Sequence, residues 1–171
     1  LLLRRTDARM LQSVTALLRQ TGCELLEEQD AVLVRKTGKT GIISDVKTAA
    51  YPGFPTDCQA ILTAALLRAE GESRIEETVF EDRFHHVPEL QKLGAKLEIY
   101  HNTVHISGVR TLSGAKLTAR DLRGGAALVL AAMQAEGESR VEGLTHIDRG
   151  YERFAEKLRA LGANIERCFD A

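Results

Sequence analysis

The sequence predicts a mixed α/β fold made of repeats of one β-α-β-α-β-β unit, with helices inside and sheets outside. The main observation is an internal repeat: residues 69–74 (AEGESR) recur letter for letter as residues 135–140, 66 residues later. Asp82-Arg83 recurs as Asp148-Arg149 at the same distance. A period above about 50 residues exceeds that of common solenoid repeats, which favours a pseudo-symmetric domain. The repeated helices are the most apolar segments, so we expect them to lie inside.

The composition is that of a globular protein and excludes strong nucleic-acid binding. The 171 residues are 44% hydrophobic and 27% charged, with a formal net charge of −1. A nucleic-acid surface needs a surplus or a cluster of basic side chains, and neither is present. No run approaches the roughly 18 apolar residues of a membrane span, and no signal peptide opens the chain. We therefore expect a cytoplasmic protein without a membrane or nucleic-acid partner.

The cysteines are predicted to be reduced thiols. Cys23, Cys58 and Cys168 are odd in number, lack CxxC spacing, and each lies in or beside a predicted helix or strand. The histidine pairs at 85/86 and 101/105 are not completed by the carboxylate or cysteine ligands that a metal site needs. We expect no metal ion and no cofactor.

Residues 1–41 are predicted to form an incomplete first unit. Thr6 can cap a helix that ends near residue 20, and the strands 23–28 and 31–35 flank a turn at Gln29-Asp30. The polar connection at 36–41 lacks the glycine spacing of a P-loop. Because the chain begins with an apolar stub and no methionine, we expect it to come from a longer protein.

The second unit, residues 42–108, contains a stiff loop that leads into a buried helix. Residues 51–59 (YPGFPTDCQ) hold two prolines and a capping box, so Thr56 is the predicted N-cap and Asp57 the first residue of a helix ending near residue 70. That helix is apolar on most sides. The unit should be completed by a strand at 42–46, a strand at 73–78, a helix at 84–93 capped by Asp82, and a hairpin of strands 96–100 and 103–107.

The third unit, residues 109–171, is predicted to repeat the second without its last strand. Asp121 is the expected cap of a helix ending near residue 136, and Asp148 the expected cap of the last helix. The buried stripe of that last helix should consist of Tyr151, Phe154, Leu158 and Leu161.

Charges at the predicted helix starts suggest an anion site. Arg83, Arg123 and Arg149 each fall there, where a cation opposes the helix dipole at a cost of about 0.3 to 1 kcal/mol. A surface Asp–Arg pair explains any one of them, but together they indicate phosphate or carboxylate binding. The 66-residue shift superposes Arg123 on Asp57. Asp57 either complements the helix dipole or serves as a functional carboxylate held by the stiff loop.

Five segments resemble the C-terminal half of the UDP-N-acetylglucosamine enolpyruvyl transferase (1-carboxyvinyltransferase) family. They are residues 51–57 (YPGFPTD), 77–83 (ETVFEDR), 112–115 (LSGA), 121–123 (DLR) and 146–152 (HIDRGYE). The resemblance implies a two-domain enzyme shaped as an inside-out α/β barrel, of which this chain is about two fifths. It also implies transfer of the enolpyruvyl group of phosphoenolpyruvate to the 3-hydroxyl of UDP-N-acetylglucosamine with release of phosphate, the first committed step of peptidoglycan precursor synthesis.

The resemblance assigns roles to six residues, namely Asp57, Val79, Arg83, Asp121, Arg123 and Arg149. Asp57 matches the carboxylate that contacts the sugar hydroxyl, and Val79 matches a residue whose carbonyl contacts the N-acetyl group. Arg123 and Arg149 match arginines that face phosphoenolpyruvate, while Asp121 and Arg83 line the same cleft. Asp57 and Arg149 would be the catalytic residues. A helix N-terminus should lower the pKa of Asp57, so its main role can be to orient the hydroxyl.

Some parts of the family's active site have no counterpart in this sequence. A Lys-Asn pair, a mobile loop with a reactive cysteine or aspartate, and further arginines are missing, and none of the three cysteines replaces that loop. We therefore expect the chain alone to be inactive and to need the missing N-terminal domain as its partner. Two alternatives stay open: a non-catalytic module that binds a nucleotide sugar or serves in assembly, and an enzyme like 5-enolpyruvylshikimate-3-phosphate synthase. The segments 51–57 and 146–152 weigh against the second.

Overall fold

The computed structural model of the chain describes residues 1–36 and 38–168. Thr37, in the polar connection expected at 36–41, and residues 169–171, at the end of the predicted third unit, lie outside the described residues. Within the described part, the strands form three separate sheets, and none of these closes into a barrel. The division into units at 1–41, 42–108 and 109–171 stays a prediction.

The first sheet is antiparallel and is covered by one helix. Its strands are β1 (Leu2–Arg4), β2 (Cys23–Glu27) and β3 (Ala31–Lys36), with β3 in the middle. This confirms the predicted hairpin of β2 and β3. Helix α1 (Gln12–Gln20) follows a 3-10 turn at Ala8–Leu11.

The cap before this turn was predicted at the wrong residue. Asp7, not Thr6, caps the turn, because its carboxylate accepts the Arg9 N–H at 2.9 Å. The Thr6 N–H instead donates to the Asp30 carbonyl at 3.0 Å, which ties the segment before the turn to the residue that precedes β3.

The second sheet combines a parallel pair with a hairpin. It contains β4 (Asp45–Lys47), β5 (Glu72–Glu76), β6 (Lys96–Tyr100) and β7 (Thr103–Ser107) in the order β4-β5-β7-β6. Strands β4 and β5 are parallel and the other pairs antiparallel. The β6–β7 hairpin has the predicted bounds. Strand β4 starts later than the predicted residue 42. The Ile43 N–H donates to the side-chain hydroxyl of Ser73 on β5 and not to a backbone carbonyl of that strand.

Two buried helices lie at the centre and belong to equivalent βαβ segments. Helix α2 (Gln59–Leu66) connects β4 to β5, and α4 (Leu122–Ala132) connects the parallel strands β8 (Lys116–Thr118) and β9 (Arg140–Glu142). These helices pack against each other, and most of their residues are buried. The prediction that the repeated helices lie inside, beneath the sheets, is therefore confirmed.

Two apolar clusters surround these helices. The larger one joins α2, α3 (Val87–Lys92) and α4 to the inner side of the second sheet. The smaller one centres on Ile147 in α5 (Leu144–Asp148) and receives Phe154 and Leu158 from α6 (Phe154–Ala160) and Tyr151 from the segment between these two helices. The predicted stripe of the last helix was wrong at Tyr151, which precedes that helix, and at Leu161, which is 64% exposed.

Two helices of the second unit differ from the prediction in their caps and length. Thr56 does not cap α2: it begins a 3-10 turn at Thr56–Cys58 that Pro55 precedes, and its hydroxyl donates to Glu77 instead. Helix α2 ends at Leu66 rather than near residue 70. Asp82 does not cap α3, since it has a positive φ of 54° and lies before the residues that lead into that helix.

The third unit departs most from its predicted helices. Helix α4 ends at Ala132, four residues before the expected end at 136. Asp148 is the last residue of the short helix α5 and not the cap of the final helix. The final helix begins only at Phe154, after Arg153 with a positive φ of 49°. Cys168, expected in a terminal strand, is exposed and lies outside any strand.

None of the helices in residues 1–36 and 38–168 has the length and hydropathy needed to cross a membrane.

Candidate functional site

A cleft of about 200 Å³ lies where the N-terminal ends of α2 and α4 meet the loop after β5. Its lining carries both signs of charge. The lining residues are Thr56, Gln59, Ala60, Asp82, Arg83, His85, Asp121, Arg123 and Gly124. Four of the six residues singled out in the sequence therefore meet here: three line the cleft, and the fourth, Asp57, contacts two of the lining arginines.

Asp57 and Arg123 face each other although the repeat makes their positions equivalent. The Arg123 Nη2 donates to Asp57 Oδ2 at 2.7 Å, and the Arg83 Nη2 lies 3.8 Å from Asp57 Oδ1. The Asp57 side chain is 50% exposed and each arginine side chain 29% exposed. Packing of α2 against α4 thus brings the opposite charges of the two repeats into one site.

The pKa of Asp57 lies below its ordinary value, chiefly because of the hydrogen bond from Arg123. This bond outweighs the opposing effect of burial, and the charges of Arg123 and Arg83 add to it. The expected cause, a helix N-terminus, was therefore not the main one: α2 starts at Gln59, two residues later. The same hydrogen bond raises the pKa of Arg123, with a further contribution from Tyr151. A carboxylate with a lowered pKa is a weak base but a good acceptor for a hydroxyl.

Aromatic rings support both guanidinium groups. Arg83 lies 4.5 Å from the centre of the Phe80 ring, and Arg123 lies 5.5 Å from that of Tyr151. Such cation–π contacts are worth about 0.5 to 1 kcal/mol at exposed sites. A guanidinium also has five N–H donors, and the contacts with Asp57 do not use all of them. Both arginine side chains can therefore bind an anion while they stay in place.

Asp121 caps α4 as predicted and fixes the start of that helix. Its Oδ1 accepts the Gly124 N–H at 2.7 Å, which is the usual N-cap geometry. A Cβ atom at Gly124 would lie 2.6 Å from Asp121 Oδ2 and 3.1 Å from the Cβ of His86. A side chain at position 124 would therefore displace the Asp121 cap, and Arg123 is held in the first turn beside it.

Two buried nitrogen atoms next to the cleft have no hydrogen-bond partner within the described residues. They are Gln59 Nε2 and His86 Nε2, on side chains that are 1% and 2% exposed. Burial lowers the pKa of His86 to about 4, although the charge of Asp121 opposes this. His86 is thus neutral at physiological pH. In the sequence, His86 was considered only as part of a histidine pair without further metal ligands, and Gln59 was assigned only to a capping box.

Two of the expected site residues lie outside the lining of the cleft. Val79 follows Glu77 in the loop after β5, and its N–H donates to Glu77 Oε1 at 2.8 Å. Arg149 follows the last residue of α5, so it lies at a helix C-terminus, where the dipole favours a cation. The predicted dipole penalty at Arg149 was therefore wrong. Gly150, its neighbour, packs against Leu122 at the start of α4.

Arg83 also differs from its expected setting, because it lies in a loop rather than in the first turn of a helix. Among the six candidates, only Arg123 is a cation in the first turn of a helix. The described residues contain no group of three or more His, Cys, Asp and Glu side chains suited to a metal ion. The side chains of Asp57, Arg83 and Arg123 supply the cleft with hydrogen bonds and fixed charges that can act on a ligand.

Comparison with known proteins gives one family for nearly the whole chain. The sequence model of EPSP synthase (3-phosphoshikimate 1-carboxyvinyltransferase) matches residues 2–158. UDP-N-acetylglucosamine 1-carboxyvinyltransferase 2 from Carboxydothermus hydrogenoformans is 51% identical over 162 residues, which are 94% of this chain and 38% of that protein. UDP-N-acetylglucosamine 1-carboxyvinyltransferase from Salmonella typhimurium is 51% identical over 167 residues, which are 98% of this chain and 40% of that protein.

Solved structures agree on the fold. The enolpyruvyl transferase NikO from Streptomyces tendae has a TM-score of 0.82 at 30% identity, covering 91% of this chain and 36% of its own. An EPSP synthase from Acinetobacter baumannii has a TM-score of 0.79 at 16% identity, covering 98% of this chain and 42% of its own. At that identity, the second match concerns the fold alone. The chain spans about two fifths of the length of the curated relatives it matches.

Proposed function

The chain belongs to the EPSP synthase family of enolpyruvyl transferases, and we propose that it is the C-terminal part of a UDP-N-acetylglucosamine 1-carboxyvinyltransferase. The observation that carries this proposal is the 51% identity to relatives of that name over 94% and 98% of the chain. The five segments that resemble that family in the sequence point to the same enzyme. The competing EPSP synthase structure reaches only 16% identity.

The proposed reaction transfers an enolpyruvyl group. The 3-hydroxyl oxygen of UDP-N-acetylglucosamine forms a bond to C2 of phosphoenolpyruvate, the bond from C2 to the phosphate oxygen breaks, and phosphate leaves together with the hydroxyl proton. Both substrates are anions, and a cleft with two arginines suits them. We place this reaction in peptidoglycan precursor synthesis in the cytoplasm. No cofactor takes part in it.

Asp57 is proposed to accept a hydrogen bond from the 3-hydroxyl. Its lowered pKa makes it better suited to orient the hydroxyl than to remove its proton while Arg123 stays bound. A phosphate or carboxylate that recruits Arg123 would weaken this hydrogen bond, so the pKa of Asp57 would rise towards its ordinary value. Binding of the anionic donor would then make Asp57 a stronger base.

The other candidates are proposed to hold the two substrates. Arg123 and Arg149 would bind phosphoenolpyruvate, Arg83 would line the same cleft, and Asp121 would fix the helix start that carries Arg123. The Val79 carbonyl would contact the N-acetyl group of the sugar. The three repeats at 1–41, 42–108 and 109–171 would form one domain, and the missing N-terminal domain would supply the opposite wall of the site.

The test needs the remaining length of the enzyme. We would replace the matched segment of the Salmonella typhimurium relative by this chain and call the product the grafted enzyme. Phosphate release is then measured with phosphoenolpyruvate and either UDP-N-acetylglucosamine or shikimate 3-phosphate, with the unmodified relative as control. The proposal expects release only with the UDP-sugar. Release with shikimate 3-phosphate alone would overturn it in favour of the second enzyme, and a folded but inactive graft would favour a non-catalytic module.

A further inference from the structure

We propose that Glu77 is a positioning residue for the acceptor side of the cleft, because its buried carboxylate holds together the two loops that carry Asp57 and Val79. The inference rests on the proposed function and adds a residue to it. Glu77 follows β5 directly and is only 2% exposed. The residue does not line the cleft, so it can act on a substrate only through the residues it holds.

The carboxylate of Glu77 accepts four hydrogen bonds from two directions. The Thr48 hydroxyl and the Val79 N–H each donate to Oε1 at 2.8 Å, and the Phe80 N–H donates to the same oxygen at 3.2 Å. The Thr56 hydroxyl donates to Oε2 at 2.7 Å. Both oxygens are therefore used, and the partners are hydroxyl and backbone donors rather than a basic side chain.

These bonds fix both ends of the proline-containing loop at 49–55. Thr48 precedes this loop and is fully buried, and Thr56 follows it immediately before Asp57. The same Thr48 hydroxyl also accepts the Thr78 N–H at 2.8 Å. A movement of Glu77 would therefore release the approach to Asp57 at both of its anchors.

The other two bonds fix the segment that carries Val79. The N–H groups of Val79 and Phe80 both point at Glu77, which determines the orientation of the intervening peptide groups. Phe80 in turn supports the guanidinium of Arg83, 4.5 Å from the centre of its ring. One carboxylate thus connects the proposed sugar contacts with one arginine of the cleft.

A carboxylate suits this role better than an amide. Burial raises the pKa of Glu77, but the hydrogen bonds from Thr56, Val79, Thr48 and Phe80 outweigh it, so the pKa lies below its ordinary value. An ionised carboxylate only accepts hydrogen bonds, so both threonine hydroxyls must point towards it. Glutamine at this position would replace one acceptor oxygen by a donor and would leave one of the four bonds unmade or reversed.

The test measures which substrate is affected. In the grafted enzyme, we expect Glu77→Ala to raise the KM for UDP-N-acetylglucosamine at least tenfold and to lower kcat, while the KM for phosphoenolpyruvate changes much less. Glu77→Gln should show a smaller change in the same direction. Glu76→Gln is the matched control, since Glu76 is the neighbouring residue on β5 and pairs with Lys47 at 3.2 Å outside the cleft. This control should keep the kinetics of the parent.

Thr56→Val keeps the test informative if Glu77→Ala does not fold. It removes one bond to Glu77 with little change in shape, and it should raise the KM for the UDP-sugar selectively. If Glu77→Gln and Thr56→Val lower the melting temperature but leave kcat and both KM values unchanged, Glu77 is structural only and the inference is wrong.

Failure of the proposed function gives a different pattern. In that case, the parent grafted enzyme does not use the UDP-sugar at all. The positioning contacts are then tested on the chain itself by amide hydrogen exchange: Glu77→Ala should increase exchange at the Val79 and Phe80 N–H groups. Unchanged exchange at these two amides would overturn the inference independently of any activity.

Discussion

Replacement of His86 should remove part of the chain's sensitivity to acid. The His86 side chain is 2% exposed, and its pKa in the folded chain is about 4 rather than the ordinary 6.5. As the pH falls below 6.5, the unfolded chain binds a proton at this residue and the folded chain does not. Folding stability is therefore lost progressively between pH 6.5 and pH 4.

The size of this loss follows from the shift. A pKa difference of one unit corresponds to about 1.4 kcal/mol, so His86 should cost roughly 3 kcal/mol of unfolding free energy by pH 4. The carboxylates with lowered pKa values act in the same direction: Asp57, Glu77 and Glu89 also lose stabilisation as acid protonates them. These residues are present in both the parent and the variant, so the difference between the two proteins isolates His86.

The assay is urea unfolding of the chain and of His86→Gln at several pH values between 7 and 4. The variant can be less stable at pH 7, because a buried side chain has been changed, but its stability should fall less steeply. His85→Gln is the matched control, since the His85 side chain is 50% exposed and pairs with Asp82. Parallel stability curves for the parent and His86→Gln between pH 6.5 and pH 4 would refute the reasoning.

Three further predictions concern the cleft and the chain as a whole. Gly124→Ala should destabilise the chain by about 1 kcal/mol in urea unfolding, because the new Cβ displaces the Asp121 cap; a gain in stability, as glycine replacement inside a helix normally gives, would contradict this. Arg149→Ala should raise the KM of the grafted enzyme for phosphoenolpyruvate about tenfold and cost about 0.3 to 1 kcal/mol of stability from the lost dipole contact. Lost stability with unchanged phosphoenolpyruvate kinetics would contradict the role of Arg149. The 171-residue chain alone should release no phosphate with both substrates, and turnover would show that the missing domain is dispensable.

The fold was predictable where local signals and packing agree. The β6–β7 hairpin has alternating residues and a two-residue turn at His101-Asn102, and the structure has it at the predicted positions. Helices α2 and α4 could be predicted because their apolar residues cover several faces and because the same sequence, AEGESR, follows both helices. In both cases, the residues that define the element lie within one short segment.

Helix starts were harder to predict because distant partners compete for the capping side chains. Thr56 has the sequence of a cap, but its hydroxyl binds Glu77, 21 residues away. Thr48 binds the same carboxylate from 29 residues away. No local pattern shows a bond between such distant residues, so the role of Glu77 could only come from the structure.

Part of the site could be predicted, because the internal repeat is visible in the sequence. The 66-residue repeat related Asp57 to Arg123, and packing of the repeated helices places them in contact. Arg149 was placed in the wrong helix, because the pattern after residue 144 contains two short helices instead of one. Asp148 is the last residue of α5 and lies six positions before α6, so it cannot cap the final helix, and its carboxylate pairs with Arg167 at 2.7 Å instead.

We propose that Asp57 acts on the acceptor hydroxyl in an enolpyruvyl transferase. Phosphate release by the grafted enzyme with Asp57→Asn tests this role, because asparagine keeps one oxygen for the hydrogen bond from Arg123 while it removes the charge and replaces the other oxygen by an amide donor. We expect a fall in kcat of about 10² to 10⁴, the range typical for loss of a general base, with only a small fall in melting temperature from the lost ion pair with Arg123. A kcat within about threefold of the parent, less than the loss of such a group causes, would contradict it.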